Sequence, residues 1–246
     1  MSTREEALKH RRRVRGATVA IAGVVVIALA VCGDSDDGGP SGSEPSDTES
    51  DAAACGAERP SDASPQQYNA PPDFTLDESA DYRAVVHTSC GDIAMDLLED
   101  KAPVTVNNFV FLAREGFFDG LIWHRVEPNS VLQTGDPNGQ NGTEPDGPGY
   151  AIEEEPPKSK DAYVYGVVGM ANAGPGTTGS QWFIVVHDNE EAGFPPDYSI
   201  FGIVDEESYA TLEAVERQPT RGGNIAVEAV KPITPIYIES IEITES

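Results

Sequence analysis

Basic residues are scarce: 16 Lys and Arg stand against 42 Asp and Glu in 246 residues, a formal net charge of -26. Six of the sixteen (Arg4, Lys9, Arg11, Arg12, Arg13 and Arg15) fall in the first fifteen positions, so beyond residue 33 only 10 basic residues face 40 acidic ones. A surface of that sign repels phosphates, which argues against nucleic acid or anionic lipid as a ligand of the main part of the chain; its plain consequence is solubility. Metal ligands are few as well. The three cysteines (Cys32, Cys55, Cys90) and four histidines make no C-x-x-C or H-x-x-x-H spacing, so the sequence offers no metal site. No Gly-Lys-Ser/Thr closes the glycine-rich run at 174–179, which sets aside a phosphate-binding loop. Internal repeats are lacking, and the length allows one domain of ordinary size with extra segments that need not fold.

Long apolar runs are lacking too, with one exception. Residues 17–31, Ala-Thr-Val-Ala-Ile-Ala-Gly-Val-Val-Val-Ile-Ala-Leu-Ala-Val, follow the basic head 1–16. As a helix they span about 23 Å against a hydrocarbon core of about 30 Å, which suits a signal segment and leaves a short anchor open. Ala28-Leu29-Ala30 offers a small-residue cleavage site, and Cys32 follows Val31 where a lipobox carries Ala, Gly or Ser. Positive charge before the run places residues 1–16 in the cytoplasm, 17–32 in or through the membrane and the remainder outside it. Residues 33–54 hold almost nothing that can be buried and read as a disordered acidic tether. Residues 55–81 are Pro-rich with scattered Tyr68 and Phe74, an extension ordered in part. Outside the cytoplasm two cysteines can pair, and with Cys32 in the membrane segment the pair is Cys55 with Cys90.

From residue 82 the pattern changes. Arg83-Ala-Val-Val-His-Thr88 and Asp92-Ile-Ala-Met-Asp-Leu-Leu98 flank Ser89-Cys90-Gly91, which predicts a hairpin. Pro103 opens a stretch with Val106, Phe109, Val110, Ala113 and Phe117 at helical spacing, punctuated by Gly116 and Gly120. Short strands are expected at 121–126, 131–134, 164–170, 181–187, 200–204 and 234–243, with a second helix over 206–216. Many short strands and two helices predict a mainly β fold, a closed eight-stranded antiparallel barrel capped by the helices and preceded by the tether.

Two segments carry the chemistry: Ile122-Trp-His-Arg-Val-Glu-Pro-Asn-Ser-Val-Leu-Gln-Thr-Gly-Asp136 and Gly169-Met-Ala-Asn-Ala-Gly-Pro-Gly-Thr-Thr-Gly-Ser-Gln-Trp-Phe-Ile-Val185. With Tyr198-Ser-Ile-Phe-Gly202 and the stretch from Asp92 to Phe109, they resemble the cyclophilins over about 160 residues in order and spacing. The resemblance implies a peptidyl-prolyl cis/trans isomerase that assists folding of exported proteins, works on proline-containing polypeptides and needs no cofactor; a monomer is expected. Such a reaction requires neither nucleophile nor metal. The amide barrier is about 18–20 kcal/mol, X-Pro is the linkage with a substantial cis population, and a rigid fork of donors suits the twisting imide better than a lysine.

By resemblance Arg125 is that donor, Gln133 positions it, and Asn172, flanked by Ala171 and Ala173, receives the backbone of the residue preceding proline, with Gln181 alongside. The matching pocket positions are Phe183 and Phe194, with Ser130 and Val131 where the family has Phe and Met. Tyr198 stands where many relatives carry His, and Gly142 and Thr143 belong to a loop, 141–150, that resembles a glycine-rich family loop with added acids. A surface ion pair is the other reading of Arg125; its place after His124 and eight residues before Gln133 favours function. His124 reads as packed, since no proton is transferred, and Glu153, Glu154 and Glu155 read as a solvated acidic rim. The alternative to an isomerase is a catalytically weak chaperone or Pro-peptide binding module, for which Ser130 and Val131 speak.

Overall fold

A computed structural model describes residues 52–58, 60, 67–77, 79–138, 147–187, 195–223 and 226–246. Its elements are β1 (Tyr82–Thr88), β2 (Gly91–Leu97), α1 (Pro103–Arg114), β3 (Arg125–Glu127), β4 (Val131–Thr134), β5 (Val167–Met170), β6 (Trp182–Val185), β7 (Ile200–Val204), α2 (Tyr209–Glu216), the short α3 (Ala226–Ala229) and β8 (Ile238–Glu245). The eight strands form one antiparallel sheet in the order β3-β4-β6-β5-β7-β2-β1-β8. The sheet curls, and its two edges meet just before β3. There Trp123 N–H donates to Ile236 O (2.9 Å), and Ile238 N–H donates to Leu121 O (2.8 Å). Strand 121–126 is therefore shorter than its apolar run predicts, because its first half makes this closing contact and only Arg125–Glu127 is laddered. Likewise 164–166 turns, with Gly166 at φ 85°, before β5 begins.

Alternation along the strands sorts side chains onto two faces. Val126, Leu132, Ile184 and Val168 are register partners across four strands and all lie in the main core. Phe109 of α1 reaches into that core, meeting Phe201 at 4.9 Å and Trp182 at 5.9 Å between ring centroids, while Trp123 stands perpendicular to Trp182 at 5.2 Å. Burying each such ring contributes about 1.5–3 kcal/mol, more than any exposed ion pair here supplies.

Helix α1 starts at Pro103, whose fixed φ suits a first helical position, yet its N-cap, Ala102, has no side-chain acceptor. Glu155 supplies one from 50 residues away, accepting from Val104 N–H (3.1 Å), Thr105 N–H (2.8 Å) and the Thr105 hydroxyl (2.7 Å). The helix closes as Gly116, at φ 68°, donates to Ala113 O and Phe117 donates to Leu112 O, a left-handed stop that only glycine adopts without strain. Phe117 thus leaves the helix but stays buried.

The Pro-rich extension is fastened at two places. Cys55 and Cys90 form a disulfide at a Cα separation of 5.1 Å, bringing the extension to the β1–β2 turn. Farther on, Tyr68 packs on Phe111 of α1 at 5.0 Å, and the Asn107 amide bonds Thr75 N–H and Asp73 O. Residues 1–51, with the apolar run 17–31 and most of the expected tether, lie outside the described residues; Ala53 and Ala54, the tether's expected last positions, are buried. Among the described residues no helix is long and apolar enough to cross a membrane.

Candidate active site

The face opposite the core collects the residues that the sequence singles out. Arg125 on β3 pairs in register with Gln133 on β4, Gln133 with Phe183 on β6, and Phe183 with Gly169 on β5. One row across four strands therefore carries a cation, an amide, an aromatic ring and no side chain at all. The missing side chain matters, because a Cβ on Gly169 would lie 2.9 Å from Cζ of Phe183. The next row is Glu127, Val131 and Val185.

At the polar end, Arg125 donates from Nε (3.1 Å) and Nη2 (2.5 Å) to Oε2 of Glu127 and from Nη1 to Oε1 of Gln133 (3.3 Å). Gln133 in turn donates from Nε2 to Oε1 of Gln181 (2.9 Å). A guanidinium has five N–H donors, so these three bonds leave one N–H on each terminal nitrogen. The Arg125 side chain is 38% exposed, and the donors can reach a ligand.

At the apolar end, Val131, Tyr163, Val167, Phe183 and Val185 form a small cluster separate from the main core, edged by Ala171, Tyr198 and Ile200. The Tyr198 ring stands perpendicular to Phe183 at 5.5 Å. Tyr163 fixes that arrangement: its hydroxyl donates to Tyr198 O (2.7 Å) and accepts from Tyr198 N–H (3.1 Å). Burial pushes the Tyr163 phenol up to about 12, so it stays neutral and keeps its proton for that bond. The five cluster residues are themselves buried, so the accessible apolar edge beside the donor fork is formed by Ala171, Tyr198 and Ile200.

Asn172 braces the neighbouring loop, its amide donating to Asp197 O (3.1 Å) and accepting from Gly174 N–H (3.2 Å), with Ala173 exposed beside it. Glu154 holds the same loop through Gly176 N–H (2.7 Å) and the Thr178 hydroxyl (3.2 Å). Burial raises the Glu154 carboxyl, but these bonds outweigh it and the net shift is downward. Two of the three acids read as a solvated rim are thus structural. Ser130 lies in the β3–β4 turn, its carbonyl accepting from Val186 N–H (2.9 Å). His124 is 0% exposed and neither ring nitrogen has a hydrogen-bond partner among the described residues. Burial, opposed by Asp136 and reinforced by Lys231 and Arg125, lowers its imidazolium to about 4. Gly142, Thr143 and Phe194 lie outside the described residues. Sequence reading missed Glu127, which strand alternation from Arg125 would have placed on the same face, and Tyr163, which no local pattern marks.

The signature of the "Cyclophilin type peptidyl-prolyl cis-trans isomerase/CLD" family matches residues 83–243. The chain belongs to the cyclophilins. Its cyclophilin domain is 38% identical over 168 residues to a "Probable peptidyl-prolyl cis-trans isomerase B" of Mycobacterium tuberculosis, covering 63% of this chain and 52% of that protein. It is 37% identical over 182 residues to "Peptidyl-prolyl cis-trans isomerase A" of the same species, covering 65% and 91%. The chain spans little more than half the length of the isomerase B relatives it matches. Among solved structures, a cyclophilin type peptidyl-prolyl cis-trans isomerase of Cryptosporidium parvum has a TM-score of 0.58 and 26% identity, covering 68% of this chain and 99% of its own. The same protein has been solved in the presence of the dipeptide Ala-Pro, again at a TM-score of 0.58.

Proposed function

We propose that the cyclophilin domain is a peptidyl-prolyl cis/trans isomerase whose catalytic residue is Arg125. The observation that carries this reading is the row Arg125–Gln133–Phe183, which sets a half-exposed donor fork beside an apolar cluster. A proline ring of an X-Pro segment rests against Val131, Phe183, Ala171 and Tyr198. The two open N–H groups of Arg125 then meet the imide as it twists out of plane, and the nitrogen, losing amide resonance, becomes an acceptor. Gln133 and Gln181 keep the guanidinium in place, and the loop carrying Ala171, Asn172 and Ala173 offers polar groups to the residue before proline. The Cryptosporidium parvum relative studied with Ala-Pro supports this substrate class.

The export reading belongs to the same proposal. A disulfide between Cys55 and Cys90 suits an oxidising compartment, and the basic head followed by the apolar run 17–31 supports an extracytoplasmic domain, membrane-anchored or released, that helps exported proteins fold. A second reading, a binding module without appreciable turnover, is favoured by Ser130 sitting in a turn with no aromatic wall at that position. Exchange spectroscopy on an Ala-Pro peptide separates the two. The isomerase reading expects catalytic amounts of the chain to speed cis/trans exchange, whereas peptide binding without acceleration would support the module.

A further inference from the structure

We infer that Glu127 is a positioning residue for Arg125, a second clamp on the guanidinium beside Gln133. The inference rests on the isomerase reading of the site. Glu127 is two residues from Arg125 on β3, so strand alternation brings both side chains to the site face while Val126 between them enters the core. One carboxylate oxygen takes both Nε–H and an Nη2–H, gripping one edge of the fork, and Gln133 takes Nη1.

An ordinary exposed ion pair orders little, because two long side chains lose rotamer freedom for a screened attraction. This pair differs in three respects. It is bifurcated onto one oxygen, the guanidinium is held by a second acceptor on its Nη1 side, and the backbone beneath both residues is laddered to β4. Fixing the plane of the guanidinium also fixes where its two remaining N–H groups point. Those donors must meet an acceptor that exists only in the twisted state, so their direction governs turnover more than ground-state binding. The carboxylate also offsets part of the guanidinium charge, which leaves directed hydrogen bonds, rather than bare charge, as the contribution of Arg125. Glu127 is therefore expected to act on kcat and to act only through Arg125.

The test uses the full chain and an Ala-Pro peptide, with kcat and KM measured separately and the thermal midpoint as a folding control. Glu127→Ala is expected to lower kcat roughly tenfold with KM within about twofold. Glu127→Gln, whose amide oxygen can accept the same two bonds, restores most of the loss. Adding Glu127→Ala to Arg125→Ala costs nothing further. A readout independent of activity is the Arg125 Nε–H resonance, slow to exchange in the parent and in Glu127→Gln and fast in Glu127→Ala. The inference is overturned by unchanged kcat in Glu127→Ala, by an equal loss in the Arg125→Ala background, or by an unaltered Nε–H resonance. An inactive parent chain with the resonance pattern intact would overturn the isomerase reading and leave the clamp standing.

Discussion

His124 has no exposed surface, yet its neighbour Arg125 reaches solvent. Strand alternation separates them, and the imidazole is left where charging it is costly. Its ionisation is lowered to about 4 by burial, against about 6.5 in an unfolded chain. Between these values the unfolded chain binds more protons than the folded one, so the stability from a neutral His124 is complete above about pH 6.5 and is lost as pH falls toward 4. A shift of that size corresponds to about 3 kcal/mol. Urea unfolding at pH 7 and at pH 4.5 checks it: the parent is expected to lose more stability between the two than His124→Gln does, and equal losses would refute the assignment. That Arg125, Gln133, Val131 and Phe183 would gather on one face was readable because their motifs keep the family's spacing. Glu127 was not singled out: alternation puts it on the Arg125 face, but within a chain of 42 acids that alone does not mark it as the guanidinium's partner.

Helix α1 and the extension show what a linear reading leaves out. The hairpin, both helices and the positions of most strands followed from periodicity and from Pro and Gly punctuation, because those are local causes. Glu155 capping α1 and Tyr68 lying on Phe111 depend on contacts far apart in sequence, and no local pattern encodes them. Glu155→Ala leaves Val104 and Thr105 N–H without that acceptor. A loss of about 1–2 kcal/mol is expected in chemical denaturation, with activity retained because α1 contributes no site residue. The disulfide was anticipated, and it closes a sequence separation of 35. Loop-closure entropy for that length gives about 4 kcal/mol. Comparing oxidised chain with Cys55→Ala/Cys90→Ala in urea checks the figure; a difference near zero would contradict it.

At the scale of the whole chain, charge and architecture divide the tasks. Acidic residues dominate beyond residue 33, while the cation at the candidate site is held by an acid and an amide supplied by adjacent strands. The curled sheet makes this arrangement by turning one face of β3, β4, β6 and β5 to the core and the other to the site. Its closure through residues 121–123 and 236–238 was expected as a full barrel seam. The seam is short because the chain makes only these contacts before it enters β3 at Arg125. The most direct test of Arg125 as the catalytic donor is kcat/KM for an Ala-Pro peptide, compared between the parent chain and Arg125→Ala. Losing charge-assisted donation to the twisted imide is expected to lower kcat/KM roughly 100- to 1,000-fold with the thermal midpoint essentially unchanged. Near-parental turnover by a folded Arg125→Ala chain would contradict the catalytic role assigned to the site.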